Sequence, residues 1–333
     1  MNRINPFAAI YKICNSGKTN KEKNALRSKL DEPLLIDVEL TNSCNLQCYM
    51  CPTGTNSLKR PRGFMSTDVM ERIYANVKES AIRGVRFILW GEPTLHPQFL
   101  DFAAKIKDAG KLVHFNTNGI LLTEEMIQAI VALEIDSMKF SFQGVDQKSY
   151  EEMRFGSDWN KIIQNIERLH SVRGEREKPF IQISTTITDE DKARVDRFIK
   201  AMQPFCDYIN VGKKILDYLD VGHMNISEER KKEFINLKSR QSLLEKHLDV
   251  CPEVYNKLSI LWNGDVTMCC NDYDGKDMVI GNITQKSINE LWNAPKAREI
   301  CKKLEEGYDQ IEICRNCYEY IALESGNDGK HRG

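Results

Sequence analysis

Six short apolar runs, LLIDVEL, VRFILW, KLVHFNTN, SMKFSFQ, FIQISTTI and YINVGKKI, follow one another from Leu34 to Ile215 with helical patterns between them. The intervening segments TDVMERIYANVKES, HPQFLDFAAKIKDAG, TEEMIQAIVALE, WNKIIQNIERLH and DKARVDRFIKAM have helical periodicity, and several carry Ser, Thr or Asp at an N-cap position. Six β–α units in succession commit the chain to an α/β fold with a parallel sheet and helices outside it. They fall short of a full eight-stranded barrel, so an open, partial (β/α)6 TIM-like barrel is expected. Such folds place chemistry in the loops at the carboxyl ends of the strands, and a run of cysteines directly follows the first strand.

The 333 residues divide into an N-terminal extension (1–33), the barrel (34–216), a polar helix-prone linker (217–250), a cysteine-rich region (251–318) and a tail (319–333). The linker's charge run SEERKKEF reads as a solvated helix face. After Cys251 short strands and turns are expected, with LSILWNGDVTMCC forming a hairpin around Asn263-Gly264-Asp265. The tail, ending in SGNDGKHRG, has the composition of a disordered segment. With 41% hydrophobic and 29% charged residues and a net charge of -1, the chain has no electrostatic bias towards nucleic acid or acidic membranes. Its first apolar stretch is broken by Lys12, too brief for a signal sequence, and no run approaches the roughly 18 apolar residues of a membrane span. A cytoplasmic location is therefore expected.

Eleven cysteines are many for a reducing compartment, where clustered thiols more often bind metal or do redox work than form disulfides. They concentrate at the two ends: Cys44, Cys48 and Cys51 at the front, six more from Cys251 onward, with Cys14 and Cys206 elsewhere. Closed zinc and cubane iron–sulfur sites generally use four protein ligands. Three thiolates leave an iron with a position for a small molecule, much as a catalytic zinc keeps one for water.

The front motif, CNLQCYMC, is C-x3-C-x2-C with Tyr49 between the second and third cysteines, and here the sequence resembles the radical SAM superfamily. In that family three cysteines hold a [4Fe-4S] cluster whose fourth iron binds the amino and carboxylate groups of S-adenosylmethionine. LWGEPTLHP after the second strand is similar to the family's Gly-Gly-Glu-Pro motif, with Trp90 in place of the first glycine. The resemblance implies that Gly91 and Glu92 receive the cofactor's ammonium, a role suited to a carboxylate in a partly dehydrated site. It also implies cofactor contacts from Asn118 in NTNG, from Ser141 in KFSFQG and from Arg154, which would pair the cofactor carboxylate, with Tyr49 near the adenine. By the same resemblance a reduced flavodoxin or ferredoxin supplies the electron that cleaves S-adenosylmethionine. The 5′-deoxyadenosyl radical then removes hydrogen from an unactivated carbon.

At the other end the set Cys251, Cys269, Cys314 and Cys317 has the spacing C-x17-C-x44-C-x2-C, compatible with a zinc ribbon. Together with the Gly-Asn-Ile and Leu-Trp-Asn segment it resembles the SPASM and shortened "twitch" extensions of radical SAM enzymes, which carry auxiliary [4Fe-4S] clusters. Six cysteines from Cys251 onward are too few for two fully thiolate-bound clusters, so one auxiliary cluster is the better count. Cys269 and Cys270 are neighbours, and strand alternation would put them on opposite faces. Cys269 then serves the cluster and Cys270 remains a thiol facing either the core or the barrel mouth. The resemblance to aminocyclitol and sugar dehydrogenases and epimerases implies hydrogen abstraction from a carbinol carbon. Epimerisation with Cys270 as hydrogen-atom donor is the favoured reading. Its rivals are two-electron dehydrogenation with Lys213 or Lys214 as base, modification of a ribosomal peptide, and a non-enzymatic iron–sulfur or zinc protein acting as carrier or scaffold.

Overall fold

The computed structural model describes residues 3–14, 16–214, 216, 219–241, 243–245, 251, 253–315, 317 and 321–323. The six expected strands are β1 (Leu35–Val38), β2 (Gly84–Phe87), β3 (Leu112–Thr117), β4 (Ser137–Ser141), β5 (Phe180–Ile187) and β6 (Tyr208–Lys213), parallel and adjacent in that order. Between them run the expected helices Thr67–Lys78, Phe99–Asp108, Glu124–Ala132, Trp159–Arg173 and Lys192–Met202. Ser66, Thr123, Asp158 and Asp191 each accept a backbone N–H three residues on, satisfying donors that a helix start leaves orphaned.

Alternation along the strands separates two chemistries. Val38, Phe87, Phe115, Met138, Phe140 and Ile183 are fully buried in the main apolar core. On the opposite, inner face the register aligns Asp37, Arg86, His114 and Ser137 across β1 to β4. Arg86 forks onto the Asp37 carboxylate at 2.6 and 2.9 Å, and Lys257 adds a third bond at 3.0 Å. Burial pushes the Asp37 carboxyl up, but Arg86 and Lys257 outweigh it and hold the group below the usual carboxylate range. A buried charge survives only with such pairing, because desolvation alone costs several kcal/mol per ion.

Lys257 comes from the cysteine-rich region, which joins the barrel sheet directly. Strand β7 (Lys257–Ile260) pairs in parallel with β1, placing Ser259 opposite Asp37. Strands β8 (Asp265–Thr267) and β9 (Val279–Asn282) follow antiparallel, giving one sheet in the order β9-β8-β7-β1-β2-β3-β4-β5-β6. The free edge of β1 is thereby covered. The hairpin lies where the sequence put it, with Gly264 at φ 87°, in the left-handed region where only glycine is unstrained. Strands and turns do not fill the rest of this region: Ile288–Trp292 and Pro295–Glu306 are helices, the first opened by a capping box between Ser287 and Glu290.

The N-terminal extension is structural. Phe7 is fully buried with its ring edge-on to His114 at 5.8 Å, and two helices follow, Ala8–Cys14 and Asn20–Arg27. Arg27 stacks 3.7 Å over Trp292 and donates to its carbonyl at 2.7 Å, while the indole N–H reaches Leu30 O at 3.1 Å. The Leu-Trp-Asn segment is thus clamped to residues ahead of the barrel. The charge run of the linker is more than a solvated face: Arg230, on helix Glu228–Arg240, pairs with Glu152 and Asp189 of the barrel side, each at 2.9 Å. The tail (319–333), expected to be disordered, instead contributes a strand, Ile321–Leu323, that pairs antiparallel with Leu243–Glu245; its residues 319, 320 and 324–333, like Pro252, lie outside the described residues. No helix among the described residues is long and apolar enough to cross a membrane.

Candidate active site

The loop from Thr41 to Phe64 rises from the carboxyl end of β1 and is fastened by its own polar groups. Thr41 Oγ1 donates to Gly63 O at 2.6 Å, and the Asn42 side chain spans to Pro61 O and Gly63 N at 2.8 and 2.9 Å. The Arg62 guanidinium draws in Asn42 O and Thr53 O at 2.6 and 3.0 Å. Gly54 lies so close to Cys48 that a Cβ there would sit 2.4 Å from its backbone N and O, which only glycine allows. Gln47–Cys48 pairs antiparallel with Arg154–Phe155, so Arg154 stands opposite Cys48.

These contacts bring Cys44, Cys48 and Cys51 together. Burial, with added repulsion from Glu92 and the other two thiols, pushes Cys44 up to about 12. Cys48 is likewise raised by burial, against which Arg154 and Lys214 act. Burial brings the Lys214 ammonium down to about 8, opposed by the thiols of Cys51 and Cys48. Lys214 therefore sits against the cysteine loop, and Lys213 ends β6 with an exposed side chain. Three thiols gathered on one loop, with Cys44 and Cys48 raised by burial and two cations beside them, suit a polynuclear iron cluster, since metal binding drives deprotonation and the cations offset the resulting charge.

Gly91 and Glu92 follow β2. A Cβ on Gly91 would lie 1.9 Å from Thr41 O, so the glycine is dictated by contact with the cysteine loop. Glu92 is almost fully buried: Oε1 accepts from Thr94 N, Thr94 Oγ1 and Thr117 Oγ1 at 3.2, 2.7 and 2.8 Å, and Oε2 from Asn118 N at 2.7 Å. Burial raises its pKa despite these donors, and Oε2 retains lone-pair capacity for a cation. The carboxylate fits an ammonium ligand for that reason. Trp90, which stands in for a glycine, has a different task. Its indole N–H donates to Cys270 O at 2.7 Å and its ring meets Tyr273 edge-on at 5.5 Å, joining the two cysteine regions. Just before it, Leu89 holds φ at 88°, a conformation costing a non-glycine residue about 1–3 kcal/mol.

The other expected contacts divide. Asn118 donates to Asn45 Oδ1 at 2.8 Å and accepts from Ile120 N at 3.0 Å, which ties the cysteine loop to β3. Arg154 donates to Gln143 Oε1 at 2.6 Å. Ser141 lies on the inner face, in register with Ser184 of β5. The Tyr49 hydroxyl accepts from Asn225 N at 2.8 Å, and its ring packs with Met153, Leu216 and Phe234. That ring is chiefly a core residue beneath the 219–241 segment.

In the rear set, Cys251 feels Cys314 and Cys317, Cys269 feels Cys251, and Asn271 donates to both Cys269 Sγ and Cys317 Sγ, at 3.3 and 3.5 Å. Four thiols from three stretches of chain thus converge. Among the described residues no group of three or more histidine, cysteine or acidic side chains could hold a single metal ion. The expected opposition of Cys269 and Cys270 is corrected: both lie past the end of β8, where strand alternation no longer applies, and their thiols are near enough to influence one another. Cys270 Sγ donates to Glu253 Oε2 at 3.0 Å. Glu253 in turn pairs with Lys257 of β7, which lies on the inner face.

Comparison with known proteins agrees with this geometry. The family model described as "Radical SAM superfamily" matches residues 38–202, and that described as "Iron-sulfur cluster-binding domain", SPASM, matches residues 251–318. The chain is 23% identical over 295 residues to the tungsten-containing aldehyde ferredoxin oxidoreductase cofactor-modifying protein of Pyrococcus furiosus, covering 78% of this chain and 80% of that one. Several other relatives are matched over less than half of their own length. Among solved structures, BtrN in complex with AdoMet and 2-DOIA has a TM-score of 0.54 at 19% identity, covering 85% of this chain and 92% of that one. Streptococcus suis SuiB bound to precursor peptide SuiA has a TM-score of 0.62 at 17% identity, covering 89% and 74%. These domains use S-adenosylmethionine, a [4Fe-4S] cluster and auxiliary iron–sulfur binding, and the donor sets at both ends fit those groups. The chain belongs to the radical SAM superfamily and is a radical SAM enzyme with a C-terminal SPASM domain.

Proposed function

We propose that this radical SAM enzyme abstracts hydrogen from a carbinol carbon of a sugar or aminocyclitol and inverts it, with Cys270 as hydrogen-atom donor. When bound, the front cluster and S-adenosylmethionine supply the 5′-deoxyadenosyl radical. Cys44, Cys48 and Cys51 hold the cluster, Glu92 and Gly91 receive the cofactor ammonium, and Arg154 its carboxylate. Asn118 acts by positioning the cysteine loop, while Ser141 faces the cofactor side of the inner wall. Cys251, Cys269, Cys314 and Cys317 hold one auxiliary [4Fe-4S] cluster.

The observation that carries the reading is the position of Cys270. It is surplus to a four-thiolate set yet lies beside it, its S–H donating to Glu253, which pairs with Lys257 on the inner wall. A carbon radical takes hydrogen from its S–H, leaving a thiyl radical that one electron and one proton restore. Reduced flavodoxin or ferredoxin provides the electron. Two-electron dehydrogenation of the same alcohol is the second reading, supported by the likeness to BtrN in complex with AdoMet and 2-DOIA. Lys214 is poorly suited to be its base, since that side chain lies against Cys48 and Cys51. Peptide modification is supported by the likeness to SuiB bound to precursor peptide SuiA.

Anaerobically reconstituted protein, given dithionite and S-adenosylmethionine, should form 5′-deoxyadenosine, and the triple Cys44, Cys48, Cys51→Ala variant should not. With sugars screened in deuterated water, wild type should yield an epimer carrying deuterium at the inverted carbon. Cys270→Ala should keep cofactor cleavage and lose inversion. An epimer from Cys270→Ala would remove Cys270 as donor, and an oxidised product from wild type would favour dehydrogenation.

A further inference from the structure

The inner wall of the barrel is lined by cations, and all but one have an evident counterpart. Arg86 and Lys257 hold Asp37. Lys257 also pairs with Glu253. Arg154 stands on Gln143 and opposite Cys48, and Lys214 lies against the front thiols. Lys139, in the middle of β4, has no hydrogen-bond or ion-pair partner among the described residues. It is partly covered, and burial, with Arg86 and Arg154 nearby, pushes its pKa down.

Its neighbours in register are polar. Asn116 of β3 lies on one side and Gln182 of β5 on the other. Asn116 spends its oxygen on His114 at 2.9 Å, leaving its amide N–H groups, and the Gln182 side chain has no hydrogen bond among the described residues. An ammonium among other cations, with no carboxylate in bonding distance, is a place for an anion. A ligand that brings negative charge and hydroxyl or carbonyl groups into this row would satisfy all three side chains at once. The cofactor carboxylate is already assigned to Arg154, one strand end away.

We infer that Lys139 is the receptor for an anionic group on the substrate, a carboxylate or a phosphate, with Asn116 and Gln182 hydrogen-bonding the polar groups next to it. The inference rests on the sugar reading above and narrows its substrate to a charged sugar, a uronate or a sugar phosphate. Lys139 thereby fixes which carbon of that substrate is presented to Cys270 and to the cofactor.

The test is anaerobic calorimetry on the holoenzyme with S-adenosylmethionine present, using D-glucose, D-glucuronate and D-glucose 1-phosphate as probes. One of the two anions should bind about tenfold or more tighter than glucose, the scale expected for a buried charge contact. Whether the carboxylate or the phosphate gains then identifies the group. The preference should vanish in Lys139→Gln and persist in Lys139→Arg, while S-adenosylmethionine affinity and 5′-deoxyadenosine formation stay unchanged in both. Equal binding of all three probes by wild type, or an anion preference that survives Lys139→Gln, would overturn the inference. The two readings fail separately. An anion preference lost in Lys139→Gln, without deuterium entering any sugar, keeps Lys139 as receptor and sinks epimerisation; deuterium incorporation indifferent to Lys139 does the reverse.

Discussion

The two cysteine sites of this enzyme are built by opposite means. The front three thiols come from a single stretch of eight residues, CNLQCYMC, and their loop is fastened mostly by groups within it: Thr41, Asn42, Gly54, Arg62 and Gly63. The rear four come from residues 251, 269, 314 and 317, and meet only because β7 docks on β1 and Trp292 is clamped by Arg27. A site whose ligands are close in sequence carries its own geometry, because little chain entropy is needed to gather them. A site gathered across tens of residues borrows its geometry from the fold. The contrast also explains Trp90, which departs from the family pattern in the front motif because its indole serves the rear turn, through Cys270 O.

The sharpest way to break the comparison is to damage the front alone. Gly91→Ala should abolish 5′-deoxyadenosine formation, a loss of about 100-fold or more, because a Cβ 1.9 Å from Thr41 O cannot be accommodated without moving the cysteine loop. Iron should fall from about eight per chain to about four, measured after anaerobic reconstitution, as the rear cluster is untouched. Loss of all iron would mean that the front site is needed to assemble the rear one.

A smaller effect is expected where the two regions share a charge. Asp37→Asn leaves Arg86 and Lys257 facing each other in the barrel floor, and should destabilise the protein by about 3–5 kcal/mol. Urea unfolding followed by both fluorescence and circular dichroism should show one transition at lower midpoint. Two separated transitions would mean that barrel and SPASM region fold independently and that their common sheet matters little. The smallest effect belongs to the bridge itself. Trp90→Phe keeps most of the ring contact with Tyr273 and loses the bond to Cys270 O, a change of about 1 kcal/mol in the same unfolding assay. Cofactor cleavage should be nearly normal; a loss as deep as that of Gly91→Ala would place Trp90 in the front site proper.

Much of the fold was legible because its signals are local. Six β-rich runs became six parallel strands, and Ser66, Thr123, Asp158 and Asp191 cap helices where their side chains indicated. The helix after Ser287 was equally readable from its capping box, Ser-Ile-Asn-Glu, and was missed because the region was taken as all strand and turn. The inner wall also left a trace. In SMKFSFQ the apolar phase Met138, Phe140 and Phe142 is buried, so the polar phase Ser137, Lys139, Ser141 and Gln143 must line the other side of the strand. A polar phase on a strand buried among parallel neighbours is a signal for a lumen, and it could have marked Lys139, where only Ser141 was singled out from the sequence.

By itself the sequence determined the elements, the front cysteine motif and the carboxylate that follows β2, because periodicity, capping and short spacing act over a few residues. Only the tertiary structure decided that Cys269 and Cys270 lie past the strand end with their thiols near one another, that Lys214 belongs to the cysteine loop, that Phe7 packs against His114, and that Lys139 has no ion-pair partner among the described residues. Each of those depends on which distant groups end up within a few ångströms, where burial and charge act strongly, and no pattern along the chain encodes that distance.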